Sequence, residues 1–128
     1  MNSTLRGGTH AILRVGSALL FIEHGLQKVF GVMGGFGGGG TAPLVSLFGL
    51  AGYMELIGGV LLIVGFLTRP VAVVLLAEMI VAFFYAHFPM GGWPVQNFGE
   101  IPLIYACIFA FLAANGAGPF SVDERAKS

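Results

Sequence analysis

Four stretches of the chain are almost continuously apolar, at about residues 10–30, 43–67, 70–88 and 98–115. Each is long enough to cross a hydrocarbon core, which takes about 20 helical residues. Pro43 opens the second stretch at a position where a missing N–H does no harm. The second and third stretches meet at Thr68-Arg69-Pro70, which predicts a tight antiparallel hairpin. Two connections are longer: GVMGGFGGGGT at 31–41, and PMGGWPVQN at 89–97 with Trp93 suited to a membrane–water interface. Four spans place both of these connections on one side, with the Arg69 turn and both termini on the other. The pattern predicts an all-α fold: an integral membrane four-helix bundle in one domain covering 1–128, ending in a short polar tail at 116–128.

Composition supports lipid as the main solvent. Of 128 residues, 56% are hydrophobic and only 9% charged, where a soluble domain carries about 25% charged residues. Arg6 precedes the first apolar run in the manner of a signal peptide. Arg14, Glu23, His24 and Lys28 interrupt that run and no small-x-small cleavage site follows, so a retained helix is expected. The formal net charge is zero and no basic stripe runs along the chain, which argues against nucleic acid as a partner. Cys107 stands alone, so no intrachain disulfide can form. Arg6, Arg69, Arg125 and Lys127 share one side, against Lys28 on the other. The positive-inside rule therefore places both termini in the cytoplasm.

The ionisable residues inside the spans carry the candidate chemistry. Counting about 1.5 Å per residue from each helix midpoint puts Glu55 and Glu78 near the midplane and Glu23 about one turn outward. Arg14 is alone on the inner half, where it can snorkel to the surface or reach inward to an acid. Lys28, His87 and Glu100 form a second layer roughly 10 Å out, with His24 between the layers. A charge at the centre of a bilayer costs at least about 2.5–3.5 kcal/mol. The three acids must therefore face the bundle interior, where each is protonated, paired or hydrated, and desolvation and mutual repulsion favour their neutral forms. Glu23, Glu55, Glu78 and Arg14 are thus a candidate intramembrane proton or ligand site. His24, Lys28, His87 and Glu100 are a candidate outer polar site. The plainer alternative pairs Arg14 with one acid, leaves the others as protonated bridges between helices, and has the outer layer solvated.

Other chemistries find little support. His24 and His87 differ in depth by about one turn and lie in no diagnostic motif, which disfavours haem. Lys28, on the same helix face as His24, is no metal ligand when charged, and no metal site is expected. The GGFGGGG run follows a helix and lacks the strand–helix setting of a phosphate loop. Gly49, Gly52, Gly58, Gly59 and Gly65 are the small residues that let membrane helices approach closely.

The segments RVGSALLFIEHGLQKVFG and LAGYMELIGGVLLIVGFLTRPVAVVLLAEM, with the ending ANGAGPFSVDE, resemble the DoxX family of small bacterial membrane proteins. The resemblance runs from about Ala11 to Asp123, and its motif positions here are His24, Gly25, Lys28, Glu55, Gly58, Gly59 and Arg69. It implies a four-helix bundle in the bacterial cytoplasmic membrane. It also implies a subunit of a quinone-linked oxidoreductase or oxidative-stress complex, with quinone as the ligand. In that role the acids handle protons, His24 and Lys28 hydrogen-bond the quinone head, and a protein partner supplies the electron carrier. The glycine loop at 31–41 departs from the family pattern. Two other readings stand beside this one: a non-catalytic accessory or assembly protein, and small-solute or proton transport by a homo-oligomer. The chain holds no complete catalytic set, so its sequence leaves open whether it is itself an enzyme.

Overall fold

Asn2 opens the first helix, its side-chain oxygen accepting from the Thr4 amide at 2.7 Å. From that cap α1 runs Ser3–Phe30 and stops at Gly31, whose left-handed φ of 69° ends the helix. The computed structural model describes residues 2–127, and among them it is all-α with no strand. After α1 come α2 (Leu47–Val64), α3 (Thr68–Ala82), the short α4 (Pro94–Asn97), α5 (Glu100–Asn115) and the short α6 (Val122–Arg125).

The second helix begins at Leu47, not at Pro43. Ser46 is the cause: its hydroxyl donates to the Pro43 carbonyl and accepts from the Gly49 amide, so the cap sits beyond the proline. The third helix does not stop at Ala82 but passes into a π-turn over Phe83–His87 and a 3₁₀ turn over Phe88–Met90. Leu47–Val64 and Thr68–Met90, of 18 and 23 residues, are each long and apolar enough to cross a membrane. Glu100–Asn115 is a shorter apolar helix, and α1 is longer but carries Arg6, Arg14, Glu23 and Lys28.

α1 packs along α2 and α3 along α5, α2 and α3 form a hairpin, and α1 touches α5 only sparsely. Phe21, Leu62, Leu75, Phe109 and Leu112 fill the centre. Large apolar side chains such as Ile12, Leu20, Ile57 and Ile104 remain exposed on the outside, the inverse of what water selects. Glycines set the α1–α2 spacing. A Cβ on Gly25 would lie 2.8 Å from the Gly52 carbonyl oxygen, and one on Gly52 would lie 2.8 Å from Lys28 Cβ.

The end that holds the chain's N-terminal region is tied together by charge. Arg14 is fully buried and donates only to backbone carbonyls: Leu62 in the last turn of α2 at 3.0 Å, Pro119 at 3.2 Å, Phe120 at 2.8 Å, and Ala117. It thus neither snorkels nor reaches an acid. The last-turn carbonyls of a helix lack intrahelical donors, and the five N–H groups of a guanidinium satisfy several at once. Asp123 accepts from the Leu67 and Thr68 amides, both at 2.9 Å, and so caps α3 from a distance. Burial pushes its carboxyl up, but the donors of Thr68, the Leu67 amide and nearby Lys127 outweigh that and hold it below the ordinary carboxylate range. Arg69 donates to the Ala113 and Ala114 carbonyls at the close of α5.

Candidate functional site

At the other end of α1, Lys28 sits three residues after Gly25, and on α2 Glu55 sits three residues after Gly52. The two helices run antiparallel, so Lys28 stands opposite Gly52, where an added Cβ would lie 2.8 Å from Lys28 Cβ, and Glu55 lies about a turn away along α2. Lys28 Nζ donates to both Glu55 oxygens, at 3.1 and 2.9 Å. Glu55 is almost wholly buried and Lys28 is 15% exposed. Layer counting separates these residues, but the four-carbon lysine stem reaches back by about a helical turn and closes the gap.

Glu78, on α3, lies near Glu55, and its own Oε1 is buried with no hydrogen-bond partner among the described residues. Glu55 already balances Lys28, which leaves Glu78 with no cation of its own among the described residues. The three groups form a chain from α1 through α2 to α3.

Beside this chain lies a cavity of about 290 Å³, lined by Lys28, Glu55, His24, His87, Phe21 and Tyr105 among others. Its aromatic wall is ordered: Phe21 meets Tyr105 edge-on with centroids 5.1 Å apart, and Tyr105 stacks on Phe109 at 5.9 Å. The π-turn in α3 carries His87, whose Nδ1 lies 2.9 Å from the Asn97 carbonyl oxygen. A carbonyl only accepts, so Nδ1 carries the proton and Nε2 of the neutral ring is left as an acceptor. Asn97 is fully buried and braces the loop before α5, donating to the Gly91 carbonyl at 2.6 Å and accepting from the Gly99 amide at 2.8 Å.

The sequence-derived candidates therefore divide. Lys28, Glu55, His24 and His87 line one cavity, merging parts of both layers, and Glu78 stands near Glu55 outside that lining. Glu23 is exposed and faces a separate groove between α1 and α5. Glu100 is exposed in the first turn of α5, where a carboxylate favours the helix dipole. Arg14 belongs to the opposite end. The sequence reading passed over Tyr105, Phe98 and Asn97. A tyrosine inside an otherwise apolar span and an asparagine after a Gly-Gly-Trp-Pro turn are the signals that could have found two of them. Among the described residues no three His, Cys, Asp or Glu side chains are placed to hold a metal ion.

Comparison with known proteins adds a family. The model of the DoxX family matches residues 9–88. A Haemophilus influenzae (strain ATCC 51907 / DSM 11121 / KW20 / Rd) protein, named only as an uncharacterized protein, is 35% identical over 118 residues, covering 90% of this chain and 88% of its own. No solved structure matches. The matched segment holds Lys28, Glu55, Glu78, His24 and His87 together with Gly25 and Gly52, whereas Asn97 and Tyr105 lie beyond it.

Proposed function

The chain belongs to the DoxX family, and from that premise we propose that it is a four-span protein of the bacterial cytoplasmic membrane, both termini cytoplasmic, that binds a quinone head within a redox or oxidative-stress complex. One observation carries this reading: a buried Lys–Glu pair and two histidines line an aromatic-walled cavity at one end of an apolar bundle. The donor set fits such a head. A lysine ammonium has three N–H groups and Glu55 takes two bonds from it, so the third can serve a quinone carbonyl. His24 can supply a second donor, and Phe21 and Tyr105 offer flat faces to a planar ring.

A bound quinone supplies two-electron, two-proton chemistry. The chain's own part is to hold and orient the head, keep bulk water away, and store a proton at Glu78 beside the Glu55 carboxylate. Electrons come from a protein partner, since no side chain here carries them unaided. The exposed apolar outside and the sparse α1–α5 seam also favour a second reading, an accessory subunit that packs against a larger membrane protein without binding a ligand.

A titration separates the two. The protein in lipid nanodiscs is titrated with a short-chain, water-soluble benzoquinone, comparing wild type with the charge-neutral double variant K28M/E55Q. Saturable binding that weakens at least tenfold in the double variant supports the quinone site. Equal affinity in both, or no saturable binding to wild type, removes it and favours the accessory reading.

A further inference from the structure

The cavity has a neighbour. A groove of about 360 Å³ runs along the outside of the α1–α5 seam, with Leu20, Ile104 and Ile108 among its apolar lining. His24, Ile101 and Tyr105 line both spaces. Those three residues therefore form part of the boundary between the cavity and the groove. The ring centroids of His24 and Tyr105 are 6.1 Å apart in an edge-on arrangement, an aromatic contact of modest strength. It lies across α1 and α5, which touch far less than α1 and α2 or α3 and α5 do. Glu23 stands at the groove, exposed and with neither hydrogen bond nor ion pair among the described residues. A carboxyl at that level of an apolar helix is costly, and as an acceptor it suits the hydroxyls of the reduced, quinol form of a passing head.

We propose that the cavity opens sideways between α1 and α5 through a His24–Tyr105 gate, and that its occupant is a lipid-soluble quinone whose apolar tail lies in the Leu20–Ile104–Ile108 groove. This rests on the reading that the cavity holds a quinone head, and it adds where the ligand enters and what its tail must be. The two spaces share lining residues, so a head against Lys28 leads its substituent through the shared wall and into the groove. The tail replaces lipid against Leu20 and Ile104, and the head passes Glu23 before it reaches the Lys28–Glu55 pair. A ligand without a tail needs only the cavity.

The test fills the groove and spares the cavity. Ile104→Trp on α5 and Leu20→Trp on α1 each add bulk at groove positions remote from the ion pair, and each is made separately so that poor folding of one leaves the other. Wild type and both variants, in nanodiscs, are titrated with a short-chain quinone and with a long-chain isoprenoid quinone, the latter expressed as mole fraction in lipid. The expected result is at least a tenfold loss of long-chain affinity, with short-chain affinity within twofold of wild type. Unchanged affinity for both ligands in a folded variant overturns the groove while leaving the head site intact. Loss of both ligands alike overturns it too, because the added bulk then acts on the cavity. Failure of wild type to bind either quinone is the separate failure of the underlying reading.

Discussion

A lysine and a glutamate buried together are held by mutual neutralisation more than by net attraction, because each loses its water on entering the bundle. Removing one partner leaves the other uncompensated, and removing both does not. Lys28→Met or Glu55→Gln alone should therefore lower stability by up to about 3–5 kcal/mol, while the double variant recovers a substantial part of the loss. Thermal unfolding followed by circular dichroism in a fixed detergent gives the cycle; additive losses would mean that the two groups do not act as a pair. Residue identity was the most legible level of this site. Glu55 and Glu78 stand out as acids inside apolar runs, and the cost of a charge in lipid turns that into a prediction of burial. Their pairing was less legible, because depth counted along helix axes ignores how far a lysine stem reaches. Arg14 was misread for a related reason: its partners are backbone carbonyls of the tail, which no side-chain pattern displays.

Helices here meet through glycine, and the site inherits its geometry from that contact. Gly25→Ala puts a Cβ 2.8 Å from the Gly52 carbonyl, where backbone must move to make room. The cost should be about 1–3 kcal/mol, the usual range for overpacking. Gly16, on the same helix, has nothing within 4 Å of an added Cβ, so Gly16→Ala should be neutral or stabilising by up to about 1 kcal/mol. Equal effects in a melting experiment would show that the α1–α2 approach is not glycine-limited. At the opposite end, Asp123 caps α3 through the Leu67 and Thr68 amides, and Asp123→Ala should cost about 1 kcal/mol. Because the folded carboxyl is held below its ordinary value, this stabilisation is complete above about pH 4. It is lost as the pH falls through the lowered folded value. Melting temperatures of wild type and variant should therefore converge only in strong acid; a constant gap throughout would refute the linkage. The Thr-Arg turn and the acidic ending were visible as motifs, and the fold gives each a task, since Arg69 closes α5 and Asp123 opens α3. Helix ends were harder to read. Ser46 sets the start of α2 by a cap that Pro43 obscures, and the π-turn at Phe83–His87 leaves no trace in hydropathy.

At the scale of the whole molecule, apolar residues cover the outside and ionisable ones gather at the two ends and along one interior chain. The proposed topology puts the Gly31–Thr41 loop and the tail on opposite sides of the membrane. With Cys107 replaced by Ser, a cysteine introduced for Gly38 should react with an impermeant maleimide from the periplasm, and one introduced for Lys127 only after the membrane is opened. Labelling of both from the same side would break the four-span arrangement. Sequence alone reached the all-α class, because long apolar runs with few charges admit little else. It did not reach the cavity, whose wall joins α1, the π-turn after α3 and α5 through Phe21, His87 and Tyr105, residues far apart in the chain of which only His87 stood out as a candidate.

The most direct test of the central claim is to purify the protein from its native membrane in mild detergent and quantify the small molecules that stay bound by mass spectrometry. Wild type and the charge-neutral K28M/E55Q variant, matched for folded protein, are compared. The quinone account predicts endogenous quinone retained near one per chain in wild type and largely lost in the variant. A wild-type protein that carries no quinone, or a variant that keeps as much, would contradict it.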